Sequence, residues 1–369
     1  MKIGILTQPL IGNYGGVIQN YALQTILKRL GHKPYTIFYG QNSLLSWFVF
    51  WAKYIIKAII RRPQATRFLL YTYLSDIKCE NFYKFIKRNI DITKPMGWEI
   101  DASKVLSYNF DGYVVGSDQT WRIGYNSQSS LDAMFLGFTK DIRDIKRISY
   151  SASFGIDYWE YTAEQTAKYK ELIKLFDAVS VREQSGVALC KQYFDVEAQH
   201  LLDPTMLLSA DDYREVVKKL GLSRKNKGGV LVYVLDMNDE KQNFINEFCK
   251  QKGLRPFFVG KEDEKGVLPS IESWLDGFDV ADYVITDSFH GSVFSIIFNK
   301  PFISIGNKSR GLSRFNSLLS IFNLENRLID LDNLQDIPQI GDPDWNCVNS
   351  IMKEWQDKSI TFLKTNLNN

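Results

Sequence analysis

The sequence predicts an α/β chain built as two Rossmann-like domains facing each other across a cleft. Three observations carry this expectation. Short apolar runs alternate with helix-period stretches along most of the chain, the pattern of parallel strands joined by crossover helices. Several of these runs end in small polar residues just before a helix begins, and ligands of open α/β sheets gather at that end of the strands. The 369 residues suffice for two cores of ordinary size.

The elements follow in order. A strand over 2–7 leads into the glycine-rich stretch 8–16. A helix over 17–30 has apolar positions Ile18, Tyr21, Ala22, Ile26 and Leu30 at helical spacing, and Gly31 sits where a helix closes. A second strand runs over 34–39. Residues 42–95 are helix-rich, aromatic and basic, and interrupt the βα alternation as an insertion. Strands return at 110–115, 147–151, 178–182 and 199–203, with helices at 163–176 and 183–194. A second series starts near 228, with strands at 229–235, 255–259, 283–286 and 301–305 and helices at 240–252, 270–281, 293–299 and 313–322. The loop 205–228 is the natural boundary. The domains are therefore expected over 1–207 and 208–345, followed by a helix within 346–369 that could pack back on the first domain.

Composition excludes several classes. With 45% apolar and 24% charged residues the chain is globular. A net charge of +3 gives no electrostatic reason to expect nucleic acid as a partner. The 14% aromatic content leaves room for carbohydrate or interface surfaces beside the core. Cys79, Cys190, Cys249 and Cys347 form no CxxC pair and match no zinc spacing, so free thiols and no metal are expected. The first residues enter a strand directly with no signal peptide, which points to the cytoplasm. Residues 44–60 are aromatic and apolar but broken by Lys53 and Lys57 and followed by Arg61, Arg62 and Arg67. A spanning helix is not expected there. Two options stay open: a helix on an anionic membrane surface, or a helix packed on its own domain.

The candidate site residues lie at the strand ends. His290, in Thr286-Asp287-Ser288-Phe289-His290-Gly291, is the one histidine so placed, and imidazole is the side chain best suited to proton transfer near neutrality. His32 is expected at the surface and His200 in a structural role. Asn13, Tyr14, Gly15 and Gly16 precede a helix and could receive an anion or a sugar hydroxyl, although they match neither GxGxxG nor the Walker pattern. Ser117, Asp118, Gln119 and Trp121 offer hydrogen bonds and a stacking face for a sugar, and Ser153 ends the next strand. Arg182 stands at another strand-to-helix junction, where a guanidinium matches a phosphate or carboxylate. Arg310 and Arg314 lie in a basic stretch after a strand. Asp203 is read as structural more than catalytic, because the following Pro204 forces a turn.

Taken in order, these segments resemble the polysaccharide pyruvyl transferase family over roughly residues 1–325. The resemblance rests on Gly12–Gln24, Val114–Trp121, Tyr150–Gly155, Ser180–Glu183, Leu202–Thr205, Thr286–Gly291 and Arg310–Arg314. It implies a glycosyltransferase-B-like architecture. It implies transfer of pyruvate from phosphoenolpyruvate to two sugar hydroxyls as a cyclic ketal, with phosphate released and no cofactor or metal. The acceptor class it implies is a capsular or other surface glycan, in some members still linked to a polyprenyl diphosphate, which places the work at the inner face of the plasma membrane. His290 is then the acid/base, with Asp118 or Asp287 taking the hydroxyl proton. Arg182, with Ser288, Arg310 and Arg314, falls at the donor, and Asn13, Tyr14, Gly15, Gly16, Ser117, Gln119, Trp121 and Ser153 fall at the acceptor. Some members carry arginine where this chain has Ser288, so Arg310 or Arg314 must supply the missing cation. A nucleotide-sugar glycosyltransferase on the same architecture is the alternative.

Overall fold

A computed structural model describes residues 1–40, 77–221, 228–306, 311–333 and 340–367. Among these residues the chain forms two all-parallel sheets. The first contains β1 (Lys2–Leu6), β2 (Lys33–Thr36), β3 (Gly112–Val115), β4 (Lys146–Ala152), β5 (Ala178–Val181) and β6 (Gln199–His200), in the order β2-β1-β3-β4-β5-β6. The second contains β7 (Val230–Tyr233), β8 (Pro256–Phe258), β9 (Tyr283–Thr286), β10 (Phe302–Ile305) and β11 (Leu328–Ile329), in the order β11-β10-β9-β7-β8. The central strands β3, β7 and β9 are buried at every position, which is why they read as unbroken apolar runs and not as alternating ones.

Both sheets reverse strand order in the same way. In the first, chain order turns between β1 and β3; in the second, between β7 and β9. Ligands of open α/β sheets lie at such a reversal, outside the carboxyl ends of the strands. The loops that matter for function are therefore those leaving β1, β3, β7 and β9.

The two halves touch directly. Tyr14, at the start of the first helix (Tyr14–Arg29), stacks on Trp274 of the second half at 5.4 Å between ring centroids. Its hydroxyl donates to the Pro269 carbonyl at 2.9 Å, and Tyr233 meets its ring edge-on. Arg88 pairs with the buried Glu272 at 2.8 Å. The C-terminal helix (Trp345–Leu367) lies against the first sheet. There Ser359 Oγ accepts from the Leu202 amide at 3.3 Å, and Gln356 Nε2 donates to the Met206 carbonyl at 2.6 Å.

Helices start earlier than apolar periodicity predicts. The first begins at Tyr14, not at 17, because the Asn13 side chain caps it by accepting from the Gly16 amide at 3.1 Å. The stretch 14–16 is thus a helical turn and not a loop. The helix after β9 begins at Phe289, not at 293, capped by the Ser288 hydroxyl, which puts His290 in its first turn. Of the expected insertion, a helix over Glu80–Asn89 is present; the segment 44–60 lies outside the described residues. Among the described residues no helix is long and apolar enough to cross a membrane.

Candidate active site

The loops leaving β1, β3, β7 and β9 enclose a cleft of about 630 Å³ between the two sheets. Its floor is buried and charged, with Asp118, His290 and Arg314 among the lining residues, while Asn13, Tyr125 and Leu235 form an exposed rim.

Asp203 is the centre of the charged floor. It lies three residues past the end of β6 and caps the short helical turn that begins at Pro204. Its Oδ1 accepts from the Thr205 amide at 3.0 Å and the Thr205 hydroxyl at 2.7 Å. Its Oδ2 accepts from Arg182 Nη1 at 2.8 Å and from the Ser117 hydroxyl at 3.3 Å. The same oxygen lies 3.6 Å from His290 Nε2, a contact longer than a hydrogen bond. One carboxylate thus joins an arginine of the first domain to an imidazole of the second. Burial alone would raise its pKa; His290 and Arg182 outweigh burial and hold it well below the usual carboxylate range.

Phe289 organises the cations. The Arg182 guanidinium sits 4.7 Å from its ring centroid and that of Arg314 5.5 Å from it, within cation–π range. Both arginines are buried. Burial, together with the nearby charge of Arg182, pushes Arg314 down to about 10. Arg182 is raised despite its burial, because Asp203, Asp118 and Glu183 surround it. Its Nε and Nη2, like His290 Nε2, are buried and donate no hydrogen bond within the described residues, so they retain capacity for an acceptor. Glu183 sits behind this group, its Oε1 accepting from Ser153 Oγ and from the Phe154 and Gly155 amides at 2.7–3.0 Å.

Asp118 holds a left-handed backbone (φ +74°) in the loop leaving β3. This is an unfavourable conformation for a residue with a side chain, and such conformations gather at functional sites. Its carboxylate lies 3.7 Å from Arg182 Nη2 and faces the cleft.

The structure therefore brings Arg182, His290, Asp118 and Arg314 together, with Asn13, Gln119 and Ser288 on the cleft wall. Other expected site residues lie elsewhere or are committed. Asp287 reaches the cleft wall, but its carboxylate accepts from the Leu235 amide at 2.6 Å, the Asp236 amide at 3.1 Å and Lys241 Nζ at 2.7 Å. Three donors hold it as the clasp of the loop after β7, not as a base. Trp121 has no exposed surface; it stacks on Phe135 at 5.2 Å and donates Nε1–H to the Met134 carbonyl, so it packs the core and offers no face to a sugar. Ser153 is spent on Glu183, and Ser117 on the Ser151 carbonyl and Asp203. Tyr14 bridges the domains instead of facing the cleft. Gly15 lies against the imidazole, and Gly16 beside Asp118. Arg310 lies outside the described residues. His200 is structural: its Nε2 meets the Arg182 carbonyl at 3.0 Å, and burial pushes it down to about 4. His32 is buried, contrary to expectation, at 3.5 Å from the terminal amine. Sequence reasoning misses the roles of Asp203, which joins Arg182 to His290, and Phe289, whose ring lies beneath both cations. The one carried a signal, an aspartate closing an apolar run before proline; the other is indistinguishable from core.

Two facing parallel-sheet domains, with arginine and histidine converging at their strand ends, define a two-domain α/β protein with a charged interdomain cleft. The chain belongs to the polysaccharide pyruvyl transferase family, whose profile matches residues 13–309. Membership makes it a transferase of polysaccharide biosynthesis. No curated protein matches the chain. Solved structures with similar overall shape include a glycosyltransferase from Rickettsia africae, with 10% identity, TM-score 0.48, and 99% of this chain and 93% of that one covered. A UDP-GlcNAc 2-epimerase from Neisseria meningitidis shows 9% identity and TM-score 0.49, covering 98% and 94%. The corresponding Methanocaldococcus jannaschii epimerase shows 10% and 0.49, covering 96% and 92%.

Proposed function

We propose that the protein transfers pyruvate from phosphoenolpyruvate to two hydroxyls of a surface-polysaccharide sugar, forming a cyclic ketal and releasing phosphate. The observation that supports this most is the buried guanidinium pair, Arg182 and Arg314, held on one aromatic ring beside His290. Like charges held together away from water repel, and a small polyanion between them reverses the sign of that interaction. Phosphoenolpyruvate presents a carboxylate and a phosphate on one three-carbon skeleton, a dimension that suits two guanidinium groups sharing a ring. Arg310 is proposed as a further donor contact.

In this reading His290 delivers a proton to the methylene carbon, and the adjacent carbon gains oxocarbenium character. A sugar hydroxyl bonds to that carbon, the carbon–oxygen bond to phosphate breaks with its electrons leaving on phosphate, and the second hydroxyl closes the ring. Two hydroxyl protons are released in all; one restores His290 and the other ends on phosphate. Asp118 is the carboxylate proposed to take one hydroxyl proton and pass it on to phosphate, since Asp287 and Asp203 are each held by three or more donors. The proposed acceptor is a glycan, carried on a polyprenyl diphosphate at the inner face of the membrane as in some members of the family.

The test is incubation of the purified chain with phosphoenolpyruvate and methyl galactoside or mannoside. Phosphate should appear together with a ketal methyl signal in the proton spectrum. Thermal stabilisation by UDP or GDP, with none by phosphoenolpyruvate and no phosphate release, would favour a nucleotide-sugar transferase and end this reading.

A further inference from the structure

We infer that the acceptor sugar stacks on Tyr125, which makes the rim of the cleft the hexopyranose subsite. The inference deepens the proposed transfer and rests on it for the chemical fate of the sugar. The cleft has two zones. Its floor is buried and charged, suited to a small anion, whereas its rim exposes Tyr125 (49%) from the first domain and Leu235 (44%) from the second. A half-exposed tyrosine is ordinary by itself; three features of this one are not.

First, the ring is buttressed. It ends a short 3-10 turn, Ile123–Tyr125, separated by a single residue from Trp121, whose indole is locked in the core. The Arg122 guanidinium lies 4.9 Å from the ring centroid, and its Nη1 is tied to Gln119 Oε1 at 3.0 Å. A ring held this way loses little freedom when a ligand arrives. Second, amide groups sit beside it. Gln8 Nε2 donates to the Gln119 carbonyl at 3.0 Å and to Asn126 Oδ1 at 3.2 Å, knitting the loop after β1 to this turn, and Gln8 and Gln119 both line the cleft. A pyranose has an apolar C–H face and hydroxyls around its edge, so it needs an aromatic face with amides at the margin. Third, Tyr125 and Arg314 line the same cleft, Tyr125 on its exposed rim and Arg314 on its buried floor. A sugar on this ring therefore borders the donor floor, where its hydroxyls must react. Trp121, the aromatic that sequence alone nominates for stacking, anchors the turn that presents Tyr125.

Saturation-transfer NMR on the full chain, with methyl β-galactopyranoside and methyl α-mannopyranoside as probes, tests this without requiring turnover. At least one glycoside should receive saturation at its ring protons. Tyr125→Ala should weaken its binding roughly tenfold, as loss of an aromatic contact does, while Tyr125→Phe keeps it and stabilisation by phosphoenolpyruvate is unchanged. Binding of neither glycoside to the unmodified chain, or equal binding by Tyr125→Ala, overturns the inference. The two readings fail separately. Tyr125-dependent glycoside binding without ketal formation sinks pyruvyl transfer alone, and ketal formation with an unchanged acceptor KM in Tyr125→Ala sinks the stacking alone.

Discussion

Asp203 does at the scale of one residue what the cleft does at the scale of the fold: it joins the halves through a shared charge. Asp203→Asn removes the buried partner of Arg182 and should destabilise the chain by about 3–5 kcal/mol, as a broken buried pair does, read by urea unfolding. Its pH signature follows from the depressed folded pKa. The stability it contributes is complete above the unfolded value of about 3.9 and is lost as pH falls below it. The variant should therefore show a flatter acid limb than the parent; parallel limbs would mean that the carboxylate carries no net interaction. His290→Ala should lower kcat for phosphate release by roughly 10²–10⁴-fold with native circular dichroism, and retained turnover would remove it from the proposed chemistry. Arg182 and His290 were visible in the sequence because a polar residue ending an apolar run stands out. The tie between them was not, since nothing in the spacing of 182, 203 and 290 reveals that three side chains converge. Trp121 misled for a related reason: composition announces an aromatic ring but not which way its turn points it.

At the scale of elements, the first helix and the helix after β9 meet through their N-terminal turns. A Cβ built on Gly15 would lie 2.0 Å from His290 Nδ1, so the helix can approach the imidazole only with glycine at this position. Helix propensity alone favours alanine over glycine by about 1 kcal/mol. Gly15→Ala should instead lower both Tm and kcat, by displacing the imidazole. A higher Tm with unchanged kcat would show that the approach is not constrained. The strands and the alternation were legible because buried parallel strands leave continuous apolar runs. Helix starts were not, because capping places the first turn ahead of the first apolar repeat: residues 15–16 and 290–292 are small or polar and so resemble loops.

At the scale of the whole molecule, the two sheets are held by contacts that cross the cleft. Tyr14→Ala removes the stack on Trp274 and the hydrogen bond to Pro269. It should cost about 3–5 kcal/mol, as large-to-small changes in a core do, and separate the unfolding of the halves into two calorimetric transitions. A single transition at the parental temperature would mean that the interface contributes little. The C-terminal helix adds an asymmetry in time. It completes a wall of the first domain around Tyr150 and Leu202, yet the second domain intervenes in the chain. At ordinary synthesis rates that wall stays uncovered on the ribosome for on the order of ten seconds. The half made first is therefore finished last, and an apolar groove awaits a segment not yet translated, the interval in which a chaperone would find it.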